Sequence, residues 1–172
     1  MELQGSTFTL RGWFDGDEES LQKHADNPKV SAFLLDRFPY PYSLSDAITW
    51  VAFMKKQATQ TNFAIAIDGQ VCGGIAVDMK VDANHNEAEI GYWLAETYWG
   101  RGIITEAVQL LTRYAFETFG IIRVQAGVFG KNTASMRVLE KAGYVKEGIM
   151  RNALIKKGVV MDKHLYAILK PE

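Results

Sequence analysis

Leu94 to Ala107 reads LAETYWGRGIITEA, and this stretch decides the fold. Upstream, Glu87 to Ala95 (EAEIGYWLA) alternates as a strand does. Downstream, Thr105 to Phe119 reads as a helix, with Ala107, Leu110, Leu111, Tyr114 and Ala115 on one side. Gly120 stands where a C-cap belongs. Between strand and helix lie Gly100 and Gly102. Glycines let a backbone turn tightly and bring its N–H groups close to a ligand. The helix that follows adds unpaired donors and the positive end of its dipole. Such a turn suits a phosphate or pyrophosphate, and Arg101 can add a charge-assisted contact. Taken alone, the same glycines fit a plain turn equally well.

Beyond the helix, Ile122 to Val128 reads as a strand, and Asn132 to Ala142 as a helix closed by Gly143. Tyr144 to Ile155 and Val159 to Leu169 read as a final hairpin turning at Lys156-Lys157-Gly158. On the N-terminal side, Gln70 to Val81 and Asn62 to Ile67 read as strands joined by the tight turn Asp68-Gly69. Asp82 to Asn86 is polar and loop-like. Thr7 to Trp13 reads as a first strand, Glu18 to Asp26 as a helix and Val30 to Leu35 as a short second helix. Ser45 and Asp46 offer a cap for a third helix, with Ile48, Val51, Ala52 and Phe53 on its apolar face. The order mixes antiparallel hairpins with one β-α-β crossover. That predicts an α+β fold with a mostly antiparallel sheet, not a doubly wound one. No repeat or linker interrupts it, so residues 1–172 read as a single domain.

The chain has 172 residues, 48% of them hydrophobic and 23% charged, which suits an ordinary globular domain with its own core. A net charge of -1 gives no field that would select nucleic acid or an anionic membrane. The start has no basic and apolar leader pattern, and no apolar run approaches a membrane span. Cys72 is the lone cysteine, so no intrachain disulfide forms and a reducing cytosol is the expected location. His24, His85 and His164 lack metal-ligand spacing, and no metal is expected.

Two nucleotide readings of the glycine turn fail. A dinucleotide fingerprint needs a third glycine where Thr105 stands, and the Gly130-Lys131-Asn132 run is not a P-loop. Instead, Tyr98-Trp99-Gly100-Arg101-Gly102, followed by Thr105-Glu106-Ala107, resembles the acetyl-CoA pyrophosphate loop of the GNAT acetyltransferases. Asn132 to Tyr144 (NTASMRVLEKAGY) is similar to the Asn-x-x-Ser helix of that superfamily's ribosomal-protein alanine N-acetyltransferase (RimJ/RimL-like) subgroup. Glu147, Gly148, Arg151, Gly158, Asp162 and Tyr166 fall where that subgroup's last hairpin carries such residues. The resemblance runs from Arg11 to Leu169. One departure is Thr97, where the superfamily often has Gln or Arg: its hydroxyl can hydrogen-bond a phosphate but brings no charge, and backbone N–H groups supply most of the cradle.

The resemblance implies a GNAT fold, its sheet splayed in the middle with helices on both faces, and transfer of acetyl from acetyl-CoA to an amine. It implies that Trp99, Gly100, Arg101, Gly102, Ile103, Ile104 and Thr105 hold the pyrophosphate. Backbone at Trp93 and Leu94 would pair with pantetheine like an added strand. Asn132 would bond the pantetheine arm, although Asn is also a preferred helix cap. Ser135 lies one turn later and would hydrogen-bond the departing thiolate. The tyrosine that many superfamily members place seven residues after the Asn is here Leu139. Glu87 and Glu89 share a strand face. By resemblance Glu89 is the base for the amine; an acidic patch that attracts a cationic amine is the alternative. The acceptor is a protein N-terminal amine, a polyamine or another small amine. A non-catalytic acetyl-CoA-binding module is the rival reading, and a homodimer stays open.

Overall fold

The structure is a computed structural model, and it describes residues 1–171. The elements are β1 (Leu3–Gln4), β2 (Thr9–Arg11), α1 (Glu18–Ala25), α2 (Pro28–Ser31), α3 (Leu44–Lys55), β3 (Asn62–Ile67), β4 (Gln70–Met79), β5 (Glu87–Leu94), α4 (Ile103–Phe119), β6 (Arg123–Phe129), α5 (Thr133–Lys141), β7 (Val145–Lys156) and β8 (Val159–Leu169). Short 3-10 turns lie at Asp82–Asn84 and Glu96–Tyr98. The strands follow the order β1-β2-β3-β4-β5-β6-β8-β7 in a mixed sheet. β5 and β6 pair parallel, and α4 is the crossover between them. A parallel pair needs such a long connection, which is why the helix read from sequence sits there.

The chain forms two compact units, residues 1–76 with 92–107, and residues 77–91 with 108–172. In the first, β1, β2, β3 and β4 pair antiparallel in sequence order. The β3–β4 hairpin turns on Asp68 (φ 49°) and Gly69 (φ 80°), as the Asp-Gly pair predicts. Its core gathers Trp13, Leu21, Ala25, Tyr42, Ala47, Val51, Ala64 and Val71, with Phe38, Trp50, Met54 and Trp93 packed against it. Arg11 and Asp17 are buried together and joined by two hydrogen bonds of 2.8 Å.

Several N-terminal readings need correction. The first strand is only Thr9–Arg11, and Leu3–Gln4 pairs beside it, too short to carry an alternation signal. The second helix is Pro28–Ser31 rather than Val30 to Leu35. Its Asn27 cap accepts from Lys29 N and Pro28 occupies the first turn, where a missing N–H costs nothing. The third helix is capped by Ser43, not Ser45 or Asp46: Ser43 and Asp46 form a reciprocal capping box. Its buried face is Ala47 and Val51, four apart, while Ile48 and Phe53 are exposed. Of the expected face, Val51 is buried as read, while Ala52 is exposed with Ile48 and Phe53, and Ala47 takes the remaining core place.

In the second unit, β6 pairs antiparallel with β8, and β8 with β7. The parallel ladder sets Glu87, Ala88 and Glu89 opposite Arg123, Val124 and Gln125. Here α4 and α5 carry buried Val108, Leu111, Ala115 and Leu139. Thr112 on α4 and the Tyr144 hydroxyl share a buried 2.7 Å hydrogen bond, and Tyr166 on β8 donates to Glu140 on α5 at 3.1 Å. No helix among the described residues is long and apolar enough to cross a membrane.

Candidate active site

In the first unit, β5 ends at Leu94 and a 3-10 turn leads to the glycines. Gly100 (φ 75°) and Gly102 (φ 79°) both take left-handed backbone, where a side chain costs strain. A Cβ at either would meet nothing within 4 Å, so conformation, not crowding, calls for glycine at both positions. The helix begins at Ile103, two residues earlier than the sequence reading, so the turn delivers the chain straight into its first turn. There the N–H groups of Ile103, Ile104 and Thr105 precede the first intrahelical acceptors. The first bond closes from Glu106 N to Gly102 O at 3.1 Å. Glu106 also accepts from Ser6 N and Ser6 Oγ, which ties the helix start to the N-terminal segment.

The flanking side chains divide their work. Arg101 is exposed, its guanidinium 5.2 Å from the centre of the Tyr98 ring. Trp99 has both donors occupied: its N–H bonds Glu96 O, and its indole Nε1 bonds Leu94 O at 2.8 Å. It therefore has no N–H left for a ligand, and the residue is 46% exposed. The expected run of donors starts after Trp99, not at it. Trp93 packs its ring against Phe38 at 5.5 Å, and that packing needs Gly74, where a Cβ would come 2.8 Å from the indole nitrogen. Phe38 and Tyr42 pack 5.0 Å apart in the same cluster, so these two aromatics are core, while Tyr40 is exposed. Burial first, then Asp46, pushes the Tyr42 phenol up to about 12, far from proton exchange at neutral pH.

The second unit carries Glu89, Asn132 and Ser135. Asn132 caps α5: its side-chain oxygen accepts from Ser135 N at 3.1 Å. The cap role uses the oxygen and leaves the amide NH₂ as the group for a ligand. Ser135 is half-buried one turn into the helix, and Leu139 below it is fully buried. Glu89 is half-buried on β5 and is held by two lysines absent from the sequence reading. Lys80 donates to it at 2.7 Å, and Lys163 Nζ stands 3.7 Å away. Burial pushes the Glu89 carboxyl up, but the Lys80 hydrogen bond and the two ammonium charges outweigh it and hold it below the usual range. Glu87, on the same face, bonds Arg123, which also clamps Glu147.

Cys72 is fully buried, and burial pushes its thiol up. His24 bonds Val71 O and His85 bonds Asp82 O, while His164 Nδ1 is buried without a partner. No group of three metal-binding side chains occurs among the described residues.

A family model described as an acetyltransferase (GNAT) domain matches residues 7–145, through both units. The chain belongs to the GNAT acetyltransferases. A similar protein is the "Probable N-acetyltransferase YjcK" of Bacillus subtilis (strain 168), 42% identical over 107 residues, which are 62% of this chain and 59% of that one. The ribosomal-protein-serine acetyltransferase of Escherichia coli (strain K12) is 30% identical over 105 residues, 61% of this chain and 58% of that one. The chain thus matches about three fifths of the length of each of these relatives. In fold it is similar to RimL, a ribosomal L7/L12 α-N-protein acetyltransferase solved with coenzyme A, at TM-score 0.84 and 22% identity, with 98% of each chain covered. The mixed α+β architecture is therefore the GNAT fold. Within it, the sequence reading missed Lys80 and Lys163, because only the folded chain brings both of them to Glu89.

Proposed function

We propose that this chain is an acetyl-CoA-dependent N-acetyltransferase that acts as one domain in the cytosol. The observation that carries the reading is the pair of left-handed glycines, Gly100 and Gly102, feeding the open first turn of the 17-residue helix α4. Backbone donors from Gly100 to Thr105 with a helix dipole behind them suit the pyrophosphate of coenzyme A. The family match supports acetyl as the group transferred. The similarity to a ribosomal-protein-serine acetyltransferase supports a protein acceptor, which we take to offer its N-terminal amine, with a small amine as the other option.

In this reading the amine attacks the thioester carbonyl directly. Glu89, ionised across the neutral range, receives the ammonium and takes its proton directly or through water. The carbonyl oxygen gains charge and needs backbone N–H donors. Trp93 and Leu94 contribute backbone to the pantetheine, and the Asn132 amide bonds its arm. Ser135 hydrogen-bonds the sulfur as the C–S bond breaks, a contact of value chiefly in the transition state. No acetyl-enzyme is needed: Cys72 is buried with its thiol pushed up, which disfavours the nucleophilic thiolate.

The test is initial-rate kinetics with acetyl-CoA and an amine panel, reading free coenzyme A and acetylated product. Intersecting double-reciprocal lines are expected. Parallel lines with a trapped acetylated side chain would sink direct transfer. Tight acetyl-CoA binding with no product from any amine would favour the non-catalytic module.

A further inference from the structure

Strand register places Glu89, Gln125 and Ala167 in one row: Glu89 opposite Gln125, and Gln125 opposite Ala167. Gly127 with Leu165 forms the next row, and Phe129 with Lys163 the one after. Residues two apart on a strand share a face, so all of these side-chain positions face the same way. Lys163 therefore starts two rows from Glu89 and must lean back across β6 to stand 3.7 Å from it. Gly127 makes that path. A Cβ there would lie 2.0 Å from Lys163 Cε and 2.8 Å from Nζ. Gly127 has no left-handed φ, so its backbone would accept any residue; the lysine stem is what requires glycine.

The other charges on this face are spent. Arg123 bonds Glu87 and Glu147, and Lys80 bonds Glu89 with the charges of Glu87 and Asp78 nearby. Lys163 is different. At 3.7 Å its ammonium is beyond hydrogen-bond range of Glu89, and it donates no side-chain hydrogen bond among the described residues. Its side chain is 26% exposed, and its stem lies in the notch over Gly127. Glu89 is already paired through Lys80, and a long, partly exposed ion pair adds little to stability. A cation with three unspent donors is thus held in place beside the proposed base.

Resting on the acetyltransferase reading, the geometry points to Lys163 as a specificity-determining residue that binds a carboxylate of the acceptor, in the same residue as the amine that Glu89 receives. An amine and a carboxylate hydrogen-bonded to groups 3.7 Å apart lie no more than about 9 Å from each other, with bonds of about 2.8 Å at each end. Acceptors that meet that limit include a free α-amino acid and a peptide whose first residue is Asp or Glu. Polyamines fail it, because they would place a second cation against Lys163.

Matched acceptors test this with the purified full chain and acetyl-CoA. One arm compares free α-amino acids with their α-amides. The other compares amidated peptides beginning with Asp or Glu with those beginning with Asn or Gln. The wild type should prefer the anionic member of at least one pair by about tenfold in kcat/KM, as a charge-assisted hydrogen bond supplies. Lys163→Met keeps the stem in the notch and removes the charge. Gly127→Ala keeps the lysine and evicts its stem. Each should cut kcat/KM for the anionic member about tenfold more than for its neutral match. Equal rates within every wild-type pair, or a preference that survives both substitutions, would overturn the proposal and leave the acetyltransferase reading intact. No coenzyme A release with any acceptor would overturn both.

Discussion

Gly102 offers the sharpest test of the pyrophosphate loop. At φ 79° it has open space around its missing side chain, so Gly102→Ala introduces no clash. What it introduces is left-handed strain on an L-residue, about 1–2 kcal/mol. That energy has two places to go. If the loop keeps its shape, the folded state carries the strain, and Tm falls by about 2–8 °C at 2–4 °C per kcal/mol for a chain of this size. If the loop relaxes instead, φ leaves the left-handed region and the N–H groups turn away. Acetyl-CoA must then restore the shape, and its Kd weakens by roughly 5- to 30-fold, since 1.4 kcal/mol is tenfold. Gly148→Ala is the control: it has no left-handed φ and nothing within 4 Å. Thermal unfolding and acetyl-CoA titration of both variants measure both terms. If Gly102→Ala matches Gly148→Ala in both Tm and Kd, the conformational argument for this loop is wrong.

Ser135→Ala should lower kcat by about 10- to 100-fold, the worth of a hydrogen bond to a charged group, with acetyl-CoA affinity nearly unchanged; an equal loss in Kd would assign the serine to ground-state binding. Glu89→Gln should shift the pH–rate profile toward higher pH, where the free amine is abundant without help; an unshifted profile would remove Glu89 from the base role. Because the Glu89 carboxyl sits below the usual range, its ion pairs stabilise the fold above its unfolded pKa of about 4.3 and lose that effect as pH falls through the lower folded value. The Tm gap between wild type and Glu89→Gln should therefore be flat near neutral pH and shrink below about pH 4. Asp17→Ala leaves buried Arg11 without its partner and should cost about 3–5 kcal/mol in urea unfolding; a loss under 1 kcal/mol would show that Arg11 finds other acceptors.

The fold was legible wherever a local rule had one strong claimant. Asp68-Gly69 is a hairpin turn because both residues tolerate the left-handed conformation it demands. The crossover helix was legible because a strand-length alternation meets a helical period across two glycines. The N-terminal segment was not. Three serine or aspartate residues, Ser43, Ser45 and Asp46, all suit a cap, and only the reciprocal bonds of Ser43 with Asp46 choose among them. Ile48 and Phe53 looked like core because they are apolar, yet packing kept Val51 of that face and added Ala47. Propensity ranks candidates, and tertiary contact picks one.

Two glycines mark the same limit at the site. Gly102 was readable because its reason is local: a left-handed φ between a strand and a helix, which the spacing of the flanking elements exposes. The reason for Gly127 is a lysine 36 positions away that crosses it in space. In the sequence, Gly127 is a weak point in a strand, and Lys163 is one charge among many on an alternating hairpin. Register supplies what is missing, since Phe129 opposite Lys163 and Glu89 opposite Gln125 together fix how far the ammonium must reach. A four-carbon stem covers that span only if β6 has no side chain in its way. The lysine, the notch and the carboxylate therefore constrain one another, and a change at any one of them must be read at Glu89.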